Sequence, residues 1–295
     1  MSSSGPDPVE RDSRGILDPW LLRQRVQLCR YPAGPALDGL VDRFWAVRWD
    51  LPPGTAHQQQ VLTHPGANVS VGHANGERGQ RQPGPVEARL YGVARGLSTR
   101  LLVGQGWTVA ALMRPGGLGA FVSGSAADFT DRAVPLGQAL RTDEAALLRQ
   151  VTAEPDEAAR VALLEAALEH AVDPGRRVPA ARVAEVARLA EADRAVRRLG
   201  DLCERAGLRA RTLQRMFLQY AGVSPTWVIR RYRLLEAAES VREGTPVSWA
   251  EVAAGLGYAD QAHLTRDFRA ATGQTPAAYA GAQSARRPGP GPGAG

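Results

Sequence analysis

Between residues 27 and 115 apolar residues recur in short alternating runs. In 44–51, Trp45, Val47 and Trp49 fall on one face and Arg48 and Asp50 on the other. Further strand candidates are Val61-Leu62, 69–71, 88–93, 97–103 and 107–113, punctuated by Pro52-Pro53-Gly54, Pro65-Gly66 and Gly84-Pro85. So many short strands predict a small sandwich or partly open barrel. After Arg114-Pro115-Gly116-Gly117 the period lengthens to that of helices. Val161, Leu164, Ala167 and Leu168 form one stripe, and Asp173-Pro174-Gly175 interrupts the run. Residues 1–15 and 283–295 are rich in Ser, Gly and Pro and are expected to be disordered. The pattern therefore predicts an α+β chain. A β-rich sandwich or partial barrel spans 16–125, a helical connector 126–193, and an all-α domain of two helix-turn-helix units joined by a long helix 194–282.

The all-α assignment rests on a repeat with a period of about fifty residues. The first copy runs Leu202-Cys203, Gly207-Leu208, Leu213, Arg215-Met216-Phe217, Gly222, Ser224-Pro225. The second runs Val252-Ala253, Gly257-Tyr258, Leu264, Arg266-Asp267-Phe268, Gly273, Thr275-Pro276. Phe to Gly is five residues in each copy and Phe to Pro is eight. Each copy describes a helix, a tight Gly turn, a second helix and a stop. Ser248 with Glu251 forms a capping box, Asp260 suits an N-cap, and Gly273 a helix end. Ser224-Pro225 starts a helix of about 17 residues, roughly 26 Å long, with Trp227, Leu234, Ala238 and Val241 as its stripe. A spacer of that size suits two helices set about 34 Å apart, one turn of duplex DNA.

Composition sharpens the picture. All 36 basic residues are Arg. Residues 1–193 carry 21 Arg against 22 acidic residues, whereas 194–282 carry 13 against 8, a net of +5. The positive field sits on the repeat, where it favours a polyanion. With Leu213, Phe217, Leu264 and Phe268 facing inward, Arg211, Gln214 and Arg215 of the first copy are left outside. So are Gln261, Ala262, Thr265 and Arg266 of the second. Arg and Gln can read guanine and adenine edges, and Ala permits close approach.

At these residues the chain resembles the AraC/XylS family of transcriptional regulators over about 199–279. The stretch from Gly257 through Asp260-Gln261-Ala262-His263-Leu264 to Phe268, with Gly273 and Thr275-Pro276, is its most recognisable part. The resemblance implies a sequence-specific DNA-binding regulator that reads two successive major grooves. Arg211, Gln214, Arg215, Gln261, Ala262, Thr265 and Arg266 are then its DNA-facing residues, and the N-terminal domain senses or dimerises. Arg209 departs from the small N-cap usual there. Pro65-Gly66 and Arg114 to Gly117 resemble a less studied group within the family that has a short β-rich N-terminal domain. Partners expected besides double-stranded DNA are a small-molecule effector, RNA polymerase and a second copy of the chain.

Other features are read more plainly. His57, His64 and His73 lack metal-ligand spacing and are expected at the surface, with no cofactor. His263 is left between a phosphate contact and a capping or solvent role. Trp45 and Trp49 are expected in the core rather than in an effector pocket, and Cys203 as a buried thiol. The Arg pairs 176–177, 197–198 and 230–231 are expected on solvated helix faces, with the last also within reach of a DNA backbone. A polar N-terminus, no 18-residue apolar run and two distant cysteines, Cys29 and Cys203, point to a cytoplasmic, nucleoid-associated protein without membrane contact. Two alternatives are a β-barrel enzyme fused to a DNA-binding module and an N-terminal domain used only for protein interaction. The first lacks a His-x-His pair, a Gly-x-Ser-x-Gly elbow or a phosphate loop.

Overall fold

The computed structural model describes residues 15–76, 82–242, 248–255 and 257–286. The disorder expected for 1–14 and 287–295 lies outside the described residues. A short helix, α1 (Pro19–Arg25), is capped by Asp18, whose Oδ1 accepts from Leu21 N at 3.0 Å. Eight strands follow among the described residues. They are β1 (Val26–Pro32), β2 (Val41–Asp50), β3 (Ala56–Val61), β4 (Asn68–His73), β5 (Val86–Tyr91), β6 (Ser98–Val103), β7 (Gln105–Met113) and β8 (Ala133–Pro135). Six pair antiparallel in the order β1-β2-β7-β4-β5-β8, and β3 and β6 form a separate ribbon. Every interior strand candidate read from the alternation is present. β8 was hidden inside the expected helical connector; three residues at a sheet edge carry too little pattern to read.

Strand alternation gives the large sheet two covered faces. Phe44, Val69, Leu90 and Val109 face helices α3 (Glu144–Ala153) and α4 (Glu157–Ala171), which follow the one-turn α2 (Leu136–Ala139), and share a core with Leu147 and Leu164. Trp45, Val47 and Trp49 alternate with Phe44 and Ala46 and face the ribbon and α1 instead. Helix α5 (Pro174–Ala192) starts where the sequence broke: Asp173 Oδ1 accepts from Gly175 N at 2.9 Å and Pro174 opens the helix.

Among its described residues the C-terminal third has six helices: α6 (Leu199–Ala206), α7 (Ala210–Met216), α8 (Pro225–Arg242), α9 (Trp249–Gly255), α10 (Gln261–Thr272) and α11 (Pro276–Arg286). A π-turn over Phe217–Ala221 extends α7. The matched glycines of the repeat, Gly207 with Gly257 and Gly222 with Gly273, all have left-handed φ between 65 and 78°. The disorder expected from 283 is not met at 283–286, which belong to α11. Gln283 lies in α11, buried, and its Nε2 donates to Leu17 O at 2.8 Å.

Helix α8 departs most from expectation. A single stripe was read, but Val228, Ile229, Arg231, Tyr232, Leu234 and Leu235 are all buried, and between 228 and 235 Arg230 is the partly exposed residue. One core joins Leu17, Leu62 and Val93 of the N-terminal region to Leu213, Phe217, Leu264 and Phe268. The Arg pairs are corrected accordingly. Arg231 is buried and Arg176 donates to the carbonyls of Gly119, Ser123 and Gly124, whereas Arg197 and Arg198 are exposed as read.

Gly222 illustrates how tightly the two halves meet. A Cβ there would lie 2.7 Å from Ala126 O, on a φ of +78°. Gly222→Ala is expected to cost about 1–2 kcal/mol from the left-handed backbone alone. Calorimetry should show a melting point lower by at least about 2 °C; an unchanged one means the halves part at no cost.

Candidate nucleic-acid interface

Each helix pair is built around a buried aromatic. In the first, Leu213 and Phe217 are fully buried while Arg211, Gln214 and Arg215 are exposed. In the second, Leu264 and Phe268 are fully buried while Gln261, Ala262 and Arg266 are exposed. Asp260 caps α10 by accepting from His263 N at 2.7 Å. Ser248 Oγ accepts from Glu251 N at 3.3 Å before α9, and Ser224 Oγ accepts from Trp227 N at 3.2 Å before α8. Arg209, at the head of α7, makes no side-chain cap, as its departure from the family pattern implied.

All seven residues singled out from sequence thus lie off the buried faces, with one qualification. Thr265 is half-buried and its hydroxyl donates to Gln261 O at 2.8 Å, leaving its methyl for an outside partner. With about 100° per residue, Arg266 and Ala262 oppose the core while Gln261 and Thr265 sit on the flank. Arg269, also exposed, falls on the same outer side and was missed. Its signal was the spacing of three from Arg266. The first unit places Leu218 at the matching position, 53% exposed.

The outer faces are basic because the acids are otherwise engaged. Helix α7 has none. Asp267 of α10 accepts from Tyr258 Oη at 2.8 Å, and burial together with this bond raises the Tyr258 phenol. Asp201 accepts from Arg197 N and Arg198 N at 2.8 Å each, which holds its carboxyl below the usual range. His263, half-buried, packs edge-on against Tyr258, ring centroids 4.9 Å apart.

A second feature lies in the N-terminal domain. Between the sheet and the ribbon is a cavity of about 490 Å³ whose walls include Leu22, Val26, Trp45, Trp49 and Leu102. The expectation that Trp45 and Trp49 belong only to the core is corrected: both line this space, although Trp49 is also buried. Alternation identified their shared face but not what lay across from it. Arg30, Arg43, Arg100 and Arg132 line the cavity against one acid among its described residues, Asp131. The Thr108 hydroxyl, also in the wall, is buried without a hydrogen-bond partner. Of the histidines, His57 is 1% exposed rather than superficial, and His64 stacks edge-on with Tyr232. Cys203 is only half-buried. Among the described residues no group of His, Cys, Asp and Glu could hold a metal ion, and no helix is long and apolar enough to cross a membrane.

Comparison with known proteins falls on the same segments. Residues 202–282 match a family described as a helix-turn-helix domain, and residues 29–135 match a domain of unknown function (DUF6597). The HTH-type transcriptional activator RhaS of Pectobacterium carotovorum is 35% identical over 77 residues, 26% of this chain and 27% of that protein. RhaS of Pectobacterium atrosepticum is 34% identical over 77 residues, with the same coverage of 26% and 27%. The chain thus spans about a quarter of the length of the curated relatives it matches. Among solved structures, ToxT from Vibrio cholerae bound to an unsaturated fatty acid is 12% identical, covering 80% of this chain and 94% of that one, with a TM-score of 0.37. A 1.65 Å structure of ToxT is 10% identical, covering 87% and 98%, also with a TM-score of 0.37. Superposition at that level adds nothing about ligand or mechanism.

Core and surface positions of α10 separate by mutation. Phe268, fully buried and packed on Trp249 and Tyr279 with centroids 5.2 and 5.7 Å away, should cost about 3–5 kcal/mol when changed to Ala. Gln261→Ala should stay within about 0.5 kcal/mol. Urea unfolding compares the two, and equal losses would refute the assigned faces.

Proposed function

We propose that the chain, whose residues 202–282 match a helix-turn-helix family, is a sequence-specific DNA-binding transcription regulator of the AraC/XylS type controlled through its N-terminal domain. The observation that carries this reading is the paired arrangement itself. Two helices, α7 and α10, present Arg and Gln outward from cores built on matched Leu and Phe residues, and one rigid helix of 18 residues joins them. That helix is about 27 Å long, a length suited to two recognition helices in successive major grooves on one side of the duplex. Arg211, Gln214, Arg215, Gln261, Ala262, Thr265 and Arg266 are the proposed DNA-facing residues, with Arg269 added from the structure. Bidentate Arg and Gln contacts supply base discrimination, and the remaining Arg side chains hold phosphates.

The cavity supports sensing over a purely interaction role for the N-terminal domain. Its size suits a small organic molecule. Apolar walls would bury such a molecule's body, and the excess of arginines favours a carboxylate head. RNA polymerase and a second copy of the chain remain proposed partners, and a cytoplasmic, nucleoid-associated location follows from the function.

Two measurements test this reading. In a binding-site selection, the full chain should enrich a two-part site, with affinity falling steeply as salt rises. Gln261→Ala should relax one or two base pairs, losing about 1–3 kcal/mol of discrimination. Enrichment of no sequence at low salt sinks the reading. Separately, small aromatic or aliphatic carboxylates should raise the melting point more than the matching alcohols, and Trp45→Ala should abolish the effect. If neither series shifts it, the cavity is not an effector site.

A further inference from the structure

The N-terminal half touches the paired unit at three places: the end of the first helix pair, the linking helix and the end of α10. Segment 119–132 grips the end of the first helix pair: Ser125 Oγ donates to Leu218 O at 3.1 Å, Thr130 Oγ1 to Gly222 O at 2.7 Å, and Gln219 Nε2 to Gly124 O at 3.1 Å. Loop 92–97 takes the linking helix, where Arg231 Nη2 donates to Arg95 O. Leu97 of that loop reaches the end of α10, where a Cβ on Gly273 would meet it at 3.4 Å.

Asp131 ties the two segments into one platform. Its carboxylate accepts from Arg95 N at 2.7 Å and from Arg95 Nε at 2.6 Å. Burial would raise this carboxyl, but those two bonds and the charges of Arg95 and Arg231 hold it below its ordinary value. Arg231 is the point where the parts converge. It is 2% exposed, sits 4.7 Å from the Trp227 ring, and is pushed down to about 10 by desolvation, which the Tyr258 phenol and Asp131 partly oppose. Its neighbour Arg230 lies 5.3 Å over Tyr258, at the turn of the second unit.

We propose that Arg231, held by the Arg95–Asp131 platform, is a positioning residue that fixes the gap between the two DNA half-sites. The inference rests on the DNA-binding reading. The linking helix joins the two units, and rocking of either unit on its end would change their spacing. A gap change of one base pair moves one unit by about 3.4 Å and turns it by about 35°. Contacts from one platform to the first unit, the linking helix and the second unit oppose that movement. No side chain on the platform needs to touch DNA to do so.

The test is a selection on libraries with variable gaps between half-sites, using the full chain and three variants. Asp131→Asn removes the ion pair yet suits the left-handed φ of 58° at that position. Arg231→Met removes the contact to Arg95, and Arg231→Lys keeps a charge and a donor. The unaltered chain should favour one gap by about tenfold, the scale of one mismatched base pair. Asp131→Asn and Arg231→Met should lose most of that preference at unchanged affinity for an isolated half-site, and Arg231→Lys should restore part of it. Retention of the gap preference in both folded variants overturns the inference. So does a parallel fall in gap preference and half-site affinity, which a merely structural role would give. An unaltered chain that enriches no sequence overturns the DNA-binding reading and this inference with it; one that enriches two half-sites leaves only the inference at stake.

Discussion

Two guanidinium groups on one buried helix constrain the whole molecule. Arg231 and Arg233 of α8 are 2% and 7% exposed, and a buried charge left without partners costs roughly 3–5 kcal/mol. Arg233 resolves this within the helical half: it donates to the carbonyls of Ala190, Asp193 and Val196 at and beyond the end of α5 and pairs with Glu236. Cations are favoured at that end of a helix by the exposed carbonyls and the dipole. Arg231 cannot be satisfied there. Its acceptor is Arg95 O of the N-terminal domain, a partner present only when the two halves are docked.

The same docking explains why sequence reading succeeded for some elements and failed for others. The repeat was legible because its constraints are local: a Gly with left-handed φ, an N-cap, and a Leu-Phe pair four apart each act within a few residues. The outward positions of Arg211, Arg215 and Arg266 followed from the same spacing. Arg231 was misread because charged residues usually face water, and nothing in 225–242 announces a carbonyl from residue 95. Trp49 is in the core as expected, but that the same face, with half-buried Trp45, also borders a cavity was not legible, for a related reason. A period of two tells which residues share a face, not whether a wall or a void lies opposite. His57 looked superficial beside a turn, yet the ribbon buries it and Gln59 Oε1 lies 2.9 Å from its Nε2.

Cavity and linking helix share structure. Ala94, Gly96, Leu97 and Asp131 line the cavity, and the loop and carboxylate they belong to also hold Arg231. Thr63 Oγ1 adds a bond to Ala94 O at 2.9 Å from the strand side. An occupant pressing on that wall acts on the grip itself, without a relay of intermediate side chains. Coupling through a shared wall needs only that the loop has two arrangements, and differential contact with each is the free energy that biases them.

The single core that runs through both halves bears on how such a chain can be recombined. Leu17, Leu62 and Val93 fill the same apolar volume as Leu235, Phe268 and Tyr279, and Gln283 closes it by bonding to Leu17 O. A graft of residues 194–282 onto a foreign sensor therefore carries a bare apolar seat and an orphaned Arg231. It would need a donor loop shaped to both. Exchange of N-terminal domains between proteins of this build is constrained less by the length of the connector than by the match of that seat. A hybrid that keeps its native 15–17, 62–63, 92–97 and 119–132 would retain the fit while the rest of the β-rich shell varied around it.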